Sequence, residues 1–75
     1  MNEVKKLNRL KAVLAEQSKT GKWLAEELGV SPITVSRWAQ NTSQPDLETI
    51  HKIATILGVA PRVLITGNEE FGVKL

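Results

Sequence analysis

Apolar residues along the chain recur at helical spacing in four places, and each run is bounded by its own start and stop signals. Val4, Leu7, Leu10 and Leu14 fall three and four apart, which predicts a first helix over Asn2 to Glu16. Thr20 then stands where a hydroxyl can accept from an early amide, and the next run, Gly21 to Leu28, closes at Gly29. Ser31 followed by Pro32 is a second start: a hydroxyl cap with proline at the first helical position, where its missing N–H is not needed. That third helix is expected to reach about Gln40. Asn41-Thr42-Ser43-Gln44-Pro45 has loop composition. Asp46 then caps a fourth helix, Leu47 to Leu57, with Leu47, Ile50, Ala54 and Leu57 as its apolar face and Gly58 as its stop. Pro61 opens a short fifth segment through about Ile65, stopped by Thr66-Gly67-Asn68. From Glu69 the pattern changes to period two, with Phe71, Val73 and Leu75 alternating with Gly72 and Lys74. A frayed tail and a short dimerisation strand both fit it. The fold expected is all-α: one five-helix domain over residues 1–66 and a tail over 67–75.

The second and third helices have the most restrictive spacing. Only Gly29, Val30 and Ser31 connect them, and so short a turn forces a steep crossing. Ala25 is small enough to permit close approach, and Gly29 accepts the left-handed backbone the reversal needs. Leu24, Leu28, Val30, Val35 and Trp38 are then the inward positions. At about 100° per residue, Ile33, Arg37 and Gln40 lie roughly 140–200° from Val35, with Ser36 at about 100° and Thr34 and Asn41 on the other flank. The outward face of the third helix thus offers a methyl-rich side chain, a hydroxyl, a guanidinium and an amide. Those are the groups that meet base edges: Ile33 on a thymine methyl, Arg37 forked onto guanine, Gln40 on adenine or a phosphate. An isoleucine that packs against a neighbouring loop is the plainer account of Ile33.

Composition narrows the field. In 75 residues there is no cysteine and a single histidine, His51, so disulfides, thiolate metal sites and clustered imidazole ligands are excluded. With 41% hydrophobic and 24% charged residues the chain is globular rather than disordered. No apolar run approaches the roughly 18 residues of a membrane helix, and no signal-peptide core is evident, so a soluble cytoplasmic protein is expected. Net charge is only +2, but it is unevenly placed. The first 22 residues hold six basic groups (Lys5, Lys6, Arg9, Lys11, Lys19, Lys22) against two acids, whereas residues 46–75 hold three against four. A positive pole of this kind suits an anionic partner, and equally a solvated helix face. Neither Glu26-Glu27 nor Glu69-Glu70 has a histidine or metal motif beside it to make it catalytic. No enzyme, cofactor, metal or small-molecule ligand is indicated. Trp38 is read as core and His51 as surface. Trp23 is left between packing on the first helix and contact with a DNA backbone or a protein.

The run Thr20-Gly-Lys-Trp-Leu-Ala-Glu-Glu-Leu-Gly-Val-Ser-Pro-Ile-Thr-Val-Ser-Arg-Trp resembles the helix-turn-helix of the phage repressor and Cro family, the XRE family of bacterial regulators. Pro45 to Val59 is similar to that family's next element, and Leu10 matches the apolar anchor of its first helix, so the resemblance spans about Val4 to Ile65. It implies that the third helix enters the major groove of double-stranded DNA with Pro32, Ile33, Ser36 and Arg37 nearest base edges, joined by Gln40 from the outward face. Ser31, Thr34 and the loop at Asn41 and Thr42 would lie near phosphates, and the start of the second helix, Thr20 and Gly21, would point amides at another. Lys19 and Lys22 flank that start. Three departures stand out. Gly21 replaces a frequent glutamine; Leu14 and Ala39 occupy the places of a buried arginine–glutamate pair; and the loop from Asn41 to Gln44 carries no charge. The implied function is a sequence-specific DNA-binding regulator, a repressor acting as a homodimer. With no second domain in these residues, dimerisation is expected at Val59, Ala60, Pro61 and Arg62 or through the tail. A protein-interaction module on the same scaffold, such as an antitoxin or accessory subunit, is the alternative.

Overall fold

The computed structural model describes residues 6–66. Within them lie four α-helices, α1 (Leu10–Glu16), α2 (Gly21–Leu28), α3 (Pro32–Ala39) and α4 (Leu47–Leu57), followed by a 3₁₀ turn at Pro61–Leu64. The predicted caps form. Thr20, Ser31 and Asp46 each accept, through a side-chain oxygen, from the amide three residues on, at Trp23, Thr34 and Thr49. Gly29 ends α2 at φ 73° and Gly58 ends α4 at φ 68°, left-handed positions where a Cβ would be strained.

One core joins all five elements: Leu10, Val13 and Leu14 from α1, Leu24 and Ala25 from α2, Val35 and Trp38 from α3, Ile50, Ile53, Ala54 and Leu57 from α4, and Leu64 from the turn. α2 and α3 pack most extensively on each other, α1 supports α3, and α4 with the 3₁₀ turn closes the opposite side. Trp38 is buried, as expected, and His51 is exposed. Trp23 is half-buried against the core, with Lys19 Nζ 4.7 Å from its ring centroid.

Several boundaries and faces differ from expectation. α1 begins at Leu10, and the described residues before it, 6–9, are not helical because their backbone is engaged across the domain; the expected start at Asn2 lies outside the described residues. Leu7 and Asn8 donate their amides to Asn41 Oδ1 at 2.8 and 2.9 Å, and Arg9 donates to the Leu64 carbonyl at 2.8 Å. Asn8 forms an antiparallel bridge with Ile65, and its own Oδ1 accepts from Leu10 N, starting the helix there. Leu7 is consequently exposed rather than on a helical core face; Val4 lies outside the described residues. In α4, Leu47 is 72% exposed and the buried stripe takes Ile53 in its place, because the first turn of α4 overhangs the core. Val30, expected inward, is 36% exposed. The fifth segment is a single 3₁₀ turn rather than an α-helix, whereas the third helix ends as expected, at Ala39 with Gln40 as its C-cap. The alternating tail, Phe71, Val73 and Leu75, lies outside the described residues.

Candidate nucleic-acid interface

α3 is held by one face and free on the other. Val35 and Trp38 are sunk in the core, so the residues opposite them must project outward. Ile33 is 64% exposed, and Ser36, Arg37 and Gln40 are exposed beside it. Gln40 Nε2 donates to Ser36 Oγ at 3.2 Å, one turn back, which aligns two of these polar groups along the helix. Among the described residues Arg37 forms no salt bridge, leaving all its guanidinium donors for a ligand. So exposed an isoleucine buries little apolar surface in the fold, and it lies on the outward face of α3.

The start of α3 is built by Ser31. Its hydroxyl accepts from Thr34 N at 3.2 Å and lies 3.0 Å from Thr34 Oγ1, so Thr34 is half-buried against its own cap. Pro32 is exposed at the first position of the helix. At the start of α2, Thr20 takes the Trp23 amide and the Thr20 carbonyl takes Leu24, so the amides of Gly21 and Lys22 are the ones that helix geometry leaves without partners. A Cβ at Gly21 would sit 3.3 Å from Val35 Cγ1, tighter than an ordinary contact. A side chain there would press on the residue that anchors α3, so this chain offers a backbone amide in place of a glutamine.

An open groove of about 420 Å³ runs between α1, the start of α2 and the near side of α3. Lys19, Gly21 and Lys22 line it from one side and Pro32, Ser36 and Gln40 from the other, so residues expected at phosphates and residues expected at bases share one concave surface. Leu14 and Ala39, in the places of the family's ion pair, also line it, and Leu14 is buried. Replacing a buried pair by apolar side chains removes the cost of desolvating two charges.

The far end of α3 is different. Asn41 adopts φ 60°, a left-handed conformation that asparagine tolerates better than most residues. Its Oδ1 accepts from Leu7 N, Asn8 N and Gln44 Nε2, and its Nδ2 donates to the Asn8 carbonyl. Asn8 is only 5% exposed and donates from Nδ2 to the Trp38 carbonyl and to Gln44 Oε1. The Asn41 side chain is thus engaged within the protein, where it ties the loop to Leu7, Asn8 and Gln44. Thr42 remains exposed, its amide bonded to the Arg37 carbonyl at 2.9 Å. Asn8 and Gln44 escaped notice in the sequence because nothing local distinguishes a buried asparagine hub from a polar helix position.

At Asp46 the Thr49 side chain first, then the Thr49 amide, hold the carboxyl below the ordinary range. No group of three or more His, Asp or Glu among the described residues is arranged to hold a metal ion. No helix among them is long and apolar enough to cross a membrane.

The profile of the helix-turn-helix family matches residues 10–64. A solved crystal structure from Bacteroides fragilis, of a protein to which DNA binding has been ascribed, is 53% identical in sequence with a TM-score of 0.79; the match covers 80% of this chain and 97% of that one. No curated protein matches the chain.

Proposed function

The chain belongs to the XRE-type helix-turn-helix family, and from that premise we propose that it is a sequence-specific double-stranded DNA-binding regulator, a cytoplasmic repressor acting as a homodimer. The observation that carries this reading is the outward face of α3, where Ile33, Ser36, Arg37 and Gln40 are exposed while Val35 and Trp38 lock the helix to the core. On that face Arg37 forks onto a guanine, Ile33 meets a thymine methyl, and Ser36 and Gln40 take the neighbouring base edges, with Pro32 at the entry. Lys19, Lys22, Thr20, the amides at Gly21 and Lys22, the cap at Ser31 and Thr34, and Thr42 serve the sugar–phosphate backbone.

One α3 reads only a few base pairs, so useful discrimination calls for two copies on half-sites about 34–36 Å apart. Val59, Ala60 and Pro61 are half-buried and Arg62 is exposed, which leaves this corner available for a second copy. Selecting bound duplexes from a random library tests the proposal. The expected product is a short motif repeated in inverted orientation about one helical turn apart. Binding without sequence preference would contradict base readout.

A second reading, a protein-holding module on the same scaffold, draws on the uncharged loop from Asn41 to Gln44 and on the half-buried Trp23. It predicts no salt-dependent DNA binding and a stable complex with a partner protein.

A further inference from the structure

A second open groove, of about 480 Å³, lies along the outward side of α1. Its floor is apolar: Ala12 and Ala15 of α1 are exposed there, and Ala39 closes it from the end of α3. Its rim is basic. Lys6 and Lys11 are exposed beside the alanines, and among the described residues no carboxylate lines the groove. Arg9, also on the rim, is already engaged: its guanidinium donates to the Val63 carbonyl at 3.1 Å and pairs with Glu16 at 3.6 Å. Thr66 lines the groove as well, and it is the last described residue. Its amide donates to the Leu7 carbonyl at 3.2 Å, and Ile65 before it bridges to Asn8. The point from which the chain continues into residues 67–75 is therefore fixed at the edge of this groove.

We propose that this groove is the docking site of the chain's own C-terminal segment, residues 69–75, with Phe71 on the alanine floor and Glu69 and Glu70 against Lys6 and Lys11. Three observations select this occupant. The first is reach. Five extended residues carry Phe71 about 16 Å from Thr66, whereas α1, seven residues long, spans only about 10 Å. The second is pattern: period two places Phe71, Val73 and Leu75 on one face of an extended segment, an apolar face to match an apolar floor. The third is charge. Residues 69–75 carry two acids and one base, opposite in net sign to the rim. Tethering adds to all three, because a segment joined by a short linker meets the groove at an effective concentration of about millimolar. The inference stands apart from the DNA reading. The groove shares Lys11, Ala15 and Ala39 with the one beside the outward face of α3, but Ile33, Ser36, Arg37 and Gln40 do not line it. The docked segment borders that face without covering it.

The absence of cysteine from the 75-residue chain makes the test direct. A nitroxide on the single thiol of Lys74→Cys broadens the amide resonances nearest to it. Broadening is expected to be strongest at Ala12, Ala15 and Ala39, and weaker at Glu27 and His51, which line a separate groove between α2 and α4. Phe71→Ser should abolish that contrast, and Glu69→Gln combined with Glu70→Gln should reduce it. In the same spectra, unchanged resonances of the buried Val35 and Ile53 report that each variant is folded. Broadening that is even along the chain, or strongest away from α1, overturns the proposal. So does a contrast that survives both Phe71→Ser and the double substitution. Mixing nitroxide-bearing chains that carry no isotope with isotope-labelled wild type isolates contacts between copies. Broadening at Ala12 and Ala15 in that mixture, as strong as within one chain, would assign the groove to the tail of a second copy and overturn docking within the chain.

Discussion

The two ends of α3 are held in opposite ways. At its start, Ser31, Thr34 and the neighbouring α2 terminus use short local caps and leave Gly21 and Lys22 amides, Pro32 and two lysines facing an open groove. At its end, Asn41, Asn8 and Gln44 form a network whose bonds span up to 36 residues of sequence and tie the loop to the first described segment. One end is built for access by charge and amide; the other is built for rigidity. α3 is thereby fixed at its far end, while its near end faces the open groove. Buried polar networks suit the first task because their geometry is unique once every group is satisfied. Among the described residues no buried side-chain polar atom lacks a partner.

Breaking the rigid end should have the largest effect on stability. Asn41→Ala strips the acceptor from two backbone amides and places a Cβ residue without a helpful side chain at φ 60°. A loss of about 1–3 kcal/mol is expected for groups left unsatisfied, measured by urea unfolding. Asn41→Gly should fall between wild type and alanine, because glycine restores the backbone conformation but not the bonds. The salt slope of any remaining DNA binding should not move.

At the open end, Thr20→Ala removes the cap on Trp23 N and is expected to cost about 1 kcal/mol in the same unfolding measurement. If it costs as much as Asn41→Ala, the contrast between a local cap and a domain-wide network fails.

The smallest effect concerns Asp46 on α4, outside both ends. Its folded carboxyl lies below the ordinary value of 3.8, chiefly through Thr49. The stabilisation is therefore complete above that pH and is lost as pH falls below 3.8 toward the depressed folded value. Asp46→Asn still caps Thr49 and should flatten this part of the stability–pH curve, as followed by circular dichroism. An unchanged acid limb would assign it to other carboxylates.

The contrast also marks what a sequence makes legible. The limits of α2 and α4 and the start of α3 were readable because their signals are local: a hydroxyl or carboxylate cap, a proline at the first position, a glycine after the last. The exposed face of α3 followed from the angle between Val35 and Ile33, Arg37 and Gln40, since two buried anchors orient every other residue of a helix. The start of α1 was not readable. Asn8 and Arg9 continue a helical apolar pattern, and only partners 33 to 57 positions away, at Asn41, Ile65 and Leu64, draw them out of it. Leu47 looked like core for the same reason: periodicity gives a direction around α4 but not where the core beneath it ends. The internal use of Asn41 likewise depends on which elements cross, and one-dimensional spacing does not encode that.

The central claim, that α3 reads base edges, is tested most directly at Arg37. Arg37→Ala removes no contact with the core and should leave the unfolding midpoint unchanged, since the side chain is exposed and unpaired among the described residues. Measured against the selected duplex and a random one at fixed salt, the variant should lose about 1–3 kcal/mol of discrimination, roughly 5- to 150-fold, while weak general binding persists. Equal discrimination by variant and wild type would contradict the account.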